Sequence, residues 1–135
     1  MIEETHVYIF ATPTDEGWRG PVKVGITSHL SKRLSAIQTA CPSKIGIFKT
    51  YRLPSRGVAR RLECGFHLVN DAHRLNGEWF DMPPAQANVS VCYGLAVALV
   101  HDPMKLNVEQ VRAWLAWAGA DADVPDDICE EREAA

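Results

Sequence analysis

Apolar positions along this chain change their period several times, and each change marks an element. Residues 6–11 (HVYIFA) are a short aromatic and β-branched run, suited to a buried strand. Residues 12–20 (TPTDEGWRG) are rich in turn formers and read as a loop. In residues 21–27 (PVKVGIT) Val22, Val24 and Ile26 alternate with polar positions, and Gly25 marks a tight bend or a close backbone approach. The two runs and their loop predict a hairpin. Leu30, Leu34 and Ile37 then fall at helical spacing, giving a helix capped by Ser28 or Ser31 that ends near Ala40, ahead of Pro42. Alternation returns over 44–53 (KIGIFKTYRL) as a third strand. Val58, Leu62, Phe66 and Val69 share one face of a second helix, opened at Pro54 and Ser55. Asn76 and Gly77 are a turn signal that stops it, and Glu78, Trp79 and Phe80 form a short extended segment. The order β-β-α-β-α is a complete small α/β (α+β) unit around a central three-stranded sheet.

Pro83 and Pro84 interrupt the pattern. Residues 85–100 read as a helix with Val89, Cys92, Ala96 and Leu99 inward. Residues 107–118 read as another, with Val108, Val111, Leu115 and Ala118 on one side. About 35 residues bury little surface alone, so 83–119 are expected to pack on the preceding unit rather than to fold separately. Residues 120–135 hold seven acids against Arg132 and are expected to be a solvated, disordered tail.

Composition changes this picture little, and charge changes it more. Hydrophobic residues make up 47% and charged residues 23%, ordinary for a soluble globular chain. No apolar run reaches the ~18 residues a membrane helix needs. The acidic start, MIEETH, leads into no signal segment, which points to the cytoplasm. Cys41, Cys64, Cys92 and Cys129 form no CxxC pair, so they read as reduced thiols, mostly core filler, and metal chemistry would rest on oxygen ligands. The net charge of −3 belongs to the tail: without it 13 basic and 10 acidic residues remain. A mildly basic body is compatible with nucleic acid.

Glu63, His67, Asn70 and Arg74 form a polar stripe beside the apolar face of the second helix. By spacing alone this stripe is either the solvated side of a covering helix or a divalent-metal site, because a carboxylate and an imidazole one turn apart can share an ion.

The order of motifs discriminates further. Val7-Tyr8-Ile9 is followed by Lys23-Val24-Gly25-Ile26-Thr27, by Arg33-Leu34 on a helix, by Leu62-Glu63 with His67, and by Gly77-Glu78-Trp79-Phe80. Together they resemble the GIY-YIG nuclease superfamily, in the branch common in phages and mobile elements whose motifs are KxGxT and GEWF. The resemblance covers residues 5–82 and makes 1–82 a GIY-YIG-like nuclease domain. It implies that Tyr8 lies beside the attacking water, that the Gly25 backbone comes close to the site, and that Arg33 contacts the scissile phosphate. It also implies that Glu63 binds a single divalent metal, Mg²⁺ or Mn²⁺, and that His67 and the GEWF segment belong to this branch's own site. Lys23 stands where the best-known members have a tyrosine, and Ile37 where some relatives place a histidine. The general base is therefore open among Tyr8, Lys23 and His67.

The expected function is metal-dependent endonucleolytic hydrolysis of phosphodiester bonds in DNA by Tyr8, Lys23, Arg33, Glu63 and His67. Gly25, Lys32, Arg60, Trp18 and Arg19 are the expected nucleic-acid contacts, although a loop aromatic such as Trp18 is more often packing. The alternative is a module of the same fold that has lost cleavage and binds nucleic acid or a protein partner, which Lys23 and Ile37 favour. A homodimer through Trp114 and Trp117 of the C-terminal helices is a third expectation.

Overall fold

The computed structural model describes residues 5–53 and 56–101. Among the described residues a five-stranded antiparallel sheet in the order β3-β1-β2-β5-β4 carries three α-helices. Its strands are β1 (Thr5–Thr14), β2 (Gly17–Thr27), β3 (Gly46–Leu53), β4 (Arg74–Asn76) and β5 (Trp79–Phe80). The helices are α1 (Leu30–Thr39), α2 (Arg56–Val69) and α3 (Pro84–His101), with a 3-10 turn over Asp71–His73. The mixed α+β class and the order of its first five elements match the sequence reading. The sheet is wider than the expected three strands, because the turn at Gly77 (φ 58°) folds β4 onto β5 and β5 pairs with β2.

Alternation along β1 and β2 splits the sheet into two faces. Val7, Ile9 and Ala11 of β1, with Val22 and Val24 of β2, join Val58, Leu62, Phe66 and Val69 of α2 in one core. Phe80, Met82 and, from α3, Ala87 and Val91 complete it. The expected inner face of α2 is thus its observed one. Tyr8 and Phe10 point the other way, stacked with ring centroids 4.0 Å apart.

Four local expectations need correction. Residues 12–14 and 17–20 are strand rather than loop: Pro13 pairs with Trp18 and Thr14 with Gly17, leaving only Asp15 and Glu16 as the turn. Gly17 takes the positive φ of 135° that closes it. Neither Ser28 nor Ser31 caps α1: His29 holds the N-cap position without a side-chain cap, and its own N–H donates to Thr27 Oγ1. None of the residues of α1 is fully buried. In α3, Val89 is 53% exposed and Cys92 and Ala96 are also exposed, whereas Ala87, Ser90 and Val91 face in. That helix is apolar nearly all round, so its sequence does not fix which side packs. Arg74, the last residue of the expected polar stripe, follows the end of α2 and lies on β4.

The expected helix over 107–118, Trp114, Trp117, Cys129 and the acidic tail lie outside the described residues. Among the described residues no helix is long and apolar enough to cross a membrane, and Cys41, Cys64 and Cys92 form no disulfide, only Cys64 being core.

Candidate metal and phosphodiester site

Two antiparallel strands build the floor of the site. Tyr8 lies opposite Gly25 and Phe10 opposite Lys23, so these four residues share the sheet face turned away from α2. Gly25 is there because nothing larger fits: a Cβ at that position would sit 2.7 Å from Tyr8 Cζ and closer still to its hydroxyl. Tyr8 is fully buried and held by its stack on Phe10, so the ring cannot swing aside cheaply. The close backbone approach expected at Gly25 is an approach to Tyr8.

α2 packs on the opposite face yet contributes to the same site, because β5 is only two residues long. It covers β2 at Val22 and Lys23, and beyond Lys23 the flank of β2 is open. The ring of His67 closes that flank, with Nε2 3.0 Å from the Val24 carbonyl oxygen. A carbonyl only accepts, so Nε2 carries the proton and, in the neutral ring, Nδ1 carries the lone pair. This is the arrangement by which a backbone carbonyl fixes a metal-ligating imidazole. Phe80, 5.2 Å away between ring centroids, packs against the ring, and His67 is only 3% exposed.

Glu63 stands one turn before His67 on α2, and Glu78 arrives from the β4–β5 turn. Ligand atoms of Glu63, His67 and Glu78 all lie within 4.8 Å of one another. Two carboxylates and one imidazole are a donor set suited to a small divalent cation that keeps water and phosphate oxygens in its remaining positions. Glu78 Oε2 also accepts from Lys23 Nζ at 3.0 Å, an ion pair whose lysine side chain is 11% exposed. Lys23 lies 5.8 Å from the centroid of the Trp79 ring, its cross-strand neighbour. The Lys23 ammonium therefore holds Glu78 in place and adds fixed positive charge at the rim of the cluster.

Arg33 completes the constellation from α1. Its Nε donates to the Tyr8 hydroxyl at 3.3 Å, leaving the Nη donors of the guanidinium available. Burial raises the pKa of Tyr8 above the ordinary tyrosine value, and the nearby charges of Glu78 and Glu63 act in the same sense. The hydrogen bond and charge of Arg33 oppose them without cancelling them. The same hydrogen bond, with the charges of Tyr8, Glu78 and Glu63, raises the Arg33 pKa, so the guanidinium stays charged. Tyr8 is thus a protonated hydroxyl near neutral pH. Beside it, Arg33, Arg56 and His29 line an open polar groove with Thr27 and Ser28.

The structure therefore brings together Tyr8, Lys23, Gly25, Arg33, Glu63 and His67, all singled out from sequence. Glu78, which the sequence placed only within the GEWF segment, joins them and accepts from Lys23. Trp18 and Arg19 do not belong to this cluster. They are seven and six residues before Gly25 on β2, about 20 Å along the strand at ~3.3 Å per residue. Trp18 packs edge-on against Phe48 at 5.6 Å, the packing reading given for it. Lys32 is exposed on α1 and Arg60 half-buried on α2. Asn70 of the expected polar stripe is buried, its Nδ2 donating to Ser90 Oγ at 3.1 Å and so tying α2 to α3.

The chain belongs to the T5orf172 domain family, whose model matches residues 5–95, well over half of its length. This is a phage-associated domain found in nuclease-type proteins. No curated protein and no solved structure matches the chain.

Proposed function

We propose that the chain is a metal-dependent endonuclease of the GIY-YIG type that hydrolyses phosphodiester bonds in DNA. The observation that carries this reading is the convergence of Glu63, His67 and Glu78 ligand atoms within 4.8 Å, beside the Arg33–Tyr8 pair. Glu63, Glu78 and Nδ1 of His67 would hold Mg²⁺ or Mn²⁺. A divalent cation there supplies charge neutralisation for the leaving 3′ oxygen and polarisation of the phosphorus.

The side chains supply the rest. Arg33, with its Nη donors available, grips a non-bridging phosphate oxygen through a charge-assisted hydrogen bond. Tyr8, kept protonated by burial, donates its hydroxyl hydrogen to water or phosphate and orients rather than deprotonates. Lys23, engaged as an ammonium with Glu78, has no lone pair with which to take a proton. His67, with Nε2 protonated toward Val24 and Nδ1 given to the cation, has none either, so base duty falls to a carboxylate oxygen of Glu63 or Glu78. Gly25 allows the Tyr8 hydroxyl to lie against the strand at this point.

The Lys23–Glu78 pair also favours a second reading, a binding module of the same fold, because an ammonium already satisfies one oxygen of a would-be ligand. Incubating supercoiled plasmid with the protein and Mg²⁺ or Mn²⁺ separates the two. The nuclease reading predicts nicking that EDTA abolishes and that Glu63→Ala lowers by a hundredfold or more, on the order expected for losing one electrostatic stabiliser of the transition state. Absence of nicking, or equal nicking by the variant, would leave the binding module.

A further inference from the structure

On the same sheet face as Tyr8, a cleft of about 350 Å³ opens on the far side of Lys23 from Arg33. Trp79, Pro21, Pro42 and Ile45 give it apolar walls, Arg19 stands at its lip, and Cys41 lines it from the loop after α1. That loop is fixed by Gln38, whose Nε2 donates to the Ser43 carbonyl at 2.9 Å and whose Oε1 accepts from the Ile45 N–H at 2.8 Å. The cleft is thus a built feature, at the small end of ligand-sized pockets.

Trp79 joins this cleft to the candidate site. It directly follows Glu78 in the chain, and it is paired across the strands with Lys23, whose Nζ lies 3.0 Å from Glu78 Oε2 and 5.8 Å from the Trp79 centroid. A strand whose phosphate reached the Glu63, His67 and Glu78 cluster would carry its next base past Lys23 to the indole. An indole faces any base equally well, an apolar slot excludes water from the stack, and an arginine at the lip meets a phosphate.

We propose that this cleft receives one unpaired nucleobase of the substrate strand, stacked on Trp79, with an adjoining phosphate against Arg19. The inference rests on the nuclease reading above and deepens it: the substrate is DNA with a single-stranded or locally opened nucleotide next to the cleaved bond. Arg19, distant from the cluster itself, thereby gains a role in this second pocket.

Cys41 offers a footprint that needs no cleavage. The full-length protein in EDTA is alkylated with iodoacetamide, and modification of each cysteine is read by peptide mass spectrometry. A short single-stranded oligodeoxynucleotide is added, or one of equal length whose central residues are abasic. The pocket predicts that the normal oligonucleotide slows modification of Cys41 at least fivefold while exposed Cys92 reacts as before, and that the abasic one protects Cys41 far less. Trp79→Ala should weaken oligonucleotide binding about tenfold, and Trp79→Phe should restore most of it, which a variant that merely loosened β5 would not do. Equal protection by both oligonucleotides, or none by either, overturns the pocket. Plasmid nicking in parallel keeps the readings apart. Nicking without Cys41 protection sinks the pocket alone; protection without nicking upholds the pocket and sinks the nuclease reading.

Discussion

One added carbon at Gly25 would press directly on the Tyr8 ring, 2.7 Å from Cζ and nearer to the hydroxyl. With Tyr8 buried and stacked on Phe10, the strain has to move either the ring or the strand. Gly25→Ala is expected to cost about 1–3 kcal/mol of stability by overpacking, and to separate Tyr8 from Arg33. Plasmid nicking should fall by about a hundredfold in material that still melts cooperatively; unchanged nicking would mean that the Tyr8 position is irrelevant to the reaction. At this scale the sequence was informative where a residue's neighbours along the chain define its duty. Gly25 between alternating valine and isoleucine, and Glu63 one turn before His67, could be picked out in this way. Glu78 stood out only as part of the GEWF motif, not as a ligand, since its partner Lys23 is 55 residues away and becomes a neighbour only through the pairing of β2 with a two-residue strand.

Short elements decide more here than long ones. β5 covers two residues of β2 and stops, and that stop exposes the Val24 carbonyl to His67. A two-residue strand leaves almost no periodicity to read, so the extended segment was visible and the pairing was not. The long helix α2 was legible because its apolar face is distinct. α3 was placed correctly along the chain, but Val89, Cys92 and Ala96 face outward rather than in, as its composition is apolar nearly all round; the Leu99 side chain lies outside the described residues. The contact between β3 and α3 has its own measurable consequence. The Tyr51 hydroxyl donates to Asn88 Oδ1 at 2.5 Å and lies 3.3 Å from Cys92 Sγ. Burial, then the hydrogen bond and charge of Cys92, push its pKa from 10.0 up to about 12, against a smaller opposing pull from Asn88. The folded chain thus holds this proton more tightly than the unfolded one. The stabilisation is full below pH 10 and is lost as pH rises towards 12. Urea midpoints should fall across that window for the wild type and fall less for Tyr51→Phe; parallel slopes would contradict the assignment.

The molecule as a whole is acidic, and its candidate site is not. The net charge of −3 hides a body with 13 basic and 10 acidic residues before the last sixteen positions. Arg33 and Arg56 line one groove, with Lys32 exposed on the same helix as Arg33. If these three meet phosphates, the logarithm of duplex affinity should fall with the logarithm of salt at a slope of about −3, and Arg56→Ala should lower that slope by about 1; an unaltered slope would remove Arg56 from the interface. Fold class was readable from the whole chain because the period changes come in an order that few small folds share. The width of the sheet and the ligand position of Glu78 were not, since both arise from the late return of β4 and β5 onto β2. The central claim is that Glu63, His67 and Glu78 make one divalent-cation site, and calorimetric titration of the protein with Mn²⁺ tests it most directly. One ion per chain is predicted, at least about tenfold weaker in Glu63→Gln and in Glu78→Gln, since even outer partners of a metal ligand are worth that much, and tighter in Lys23→Met, where a repelling charge is gone. No binding by the wild-type protein, or equal binding by Glu63→Gln, would contradict it.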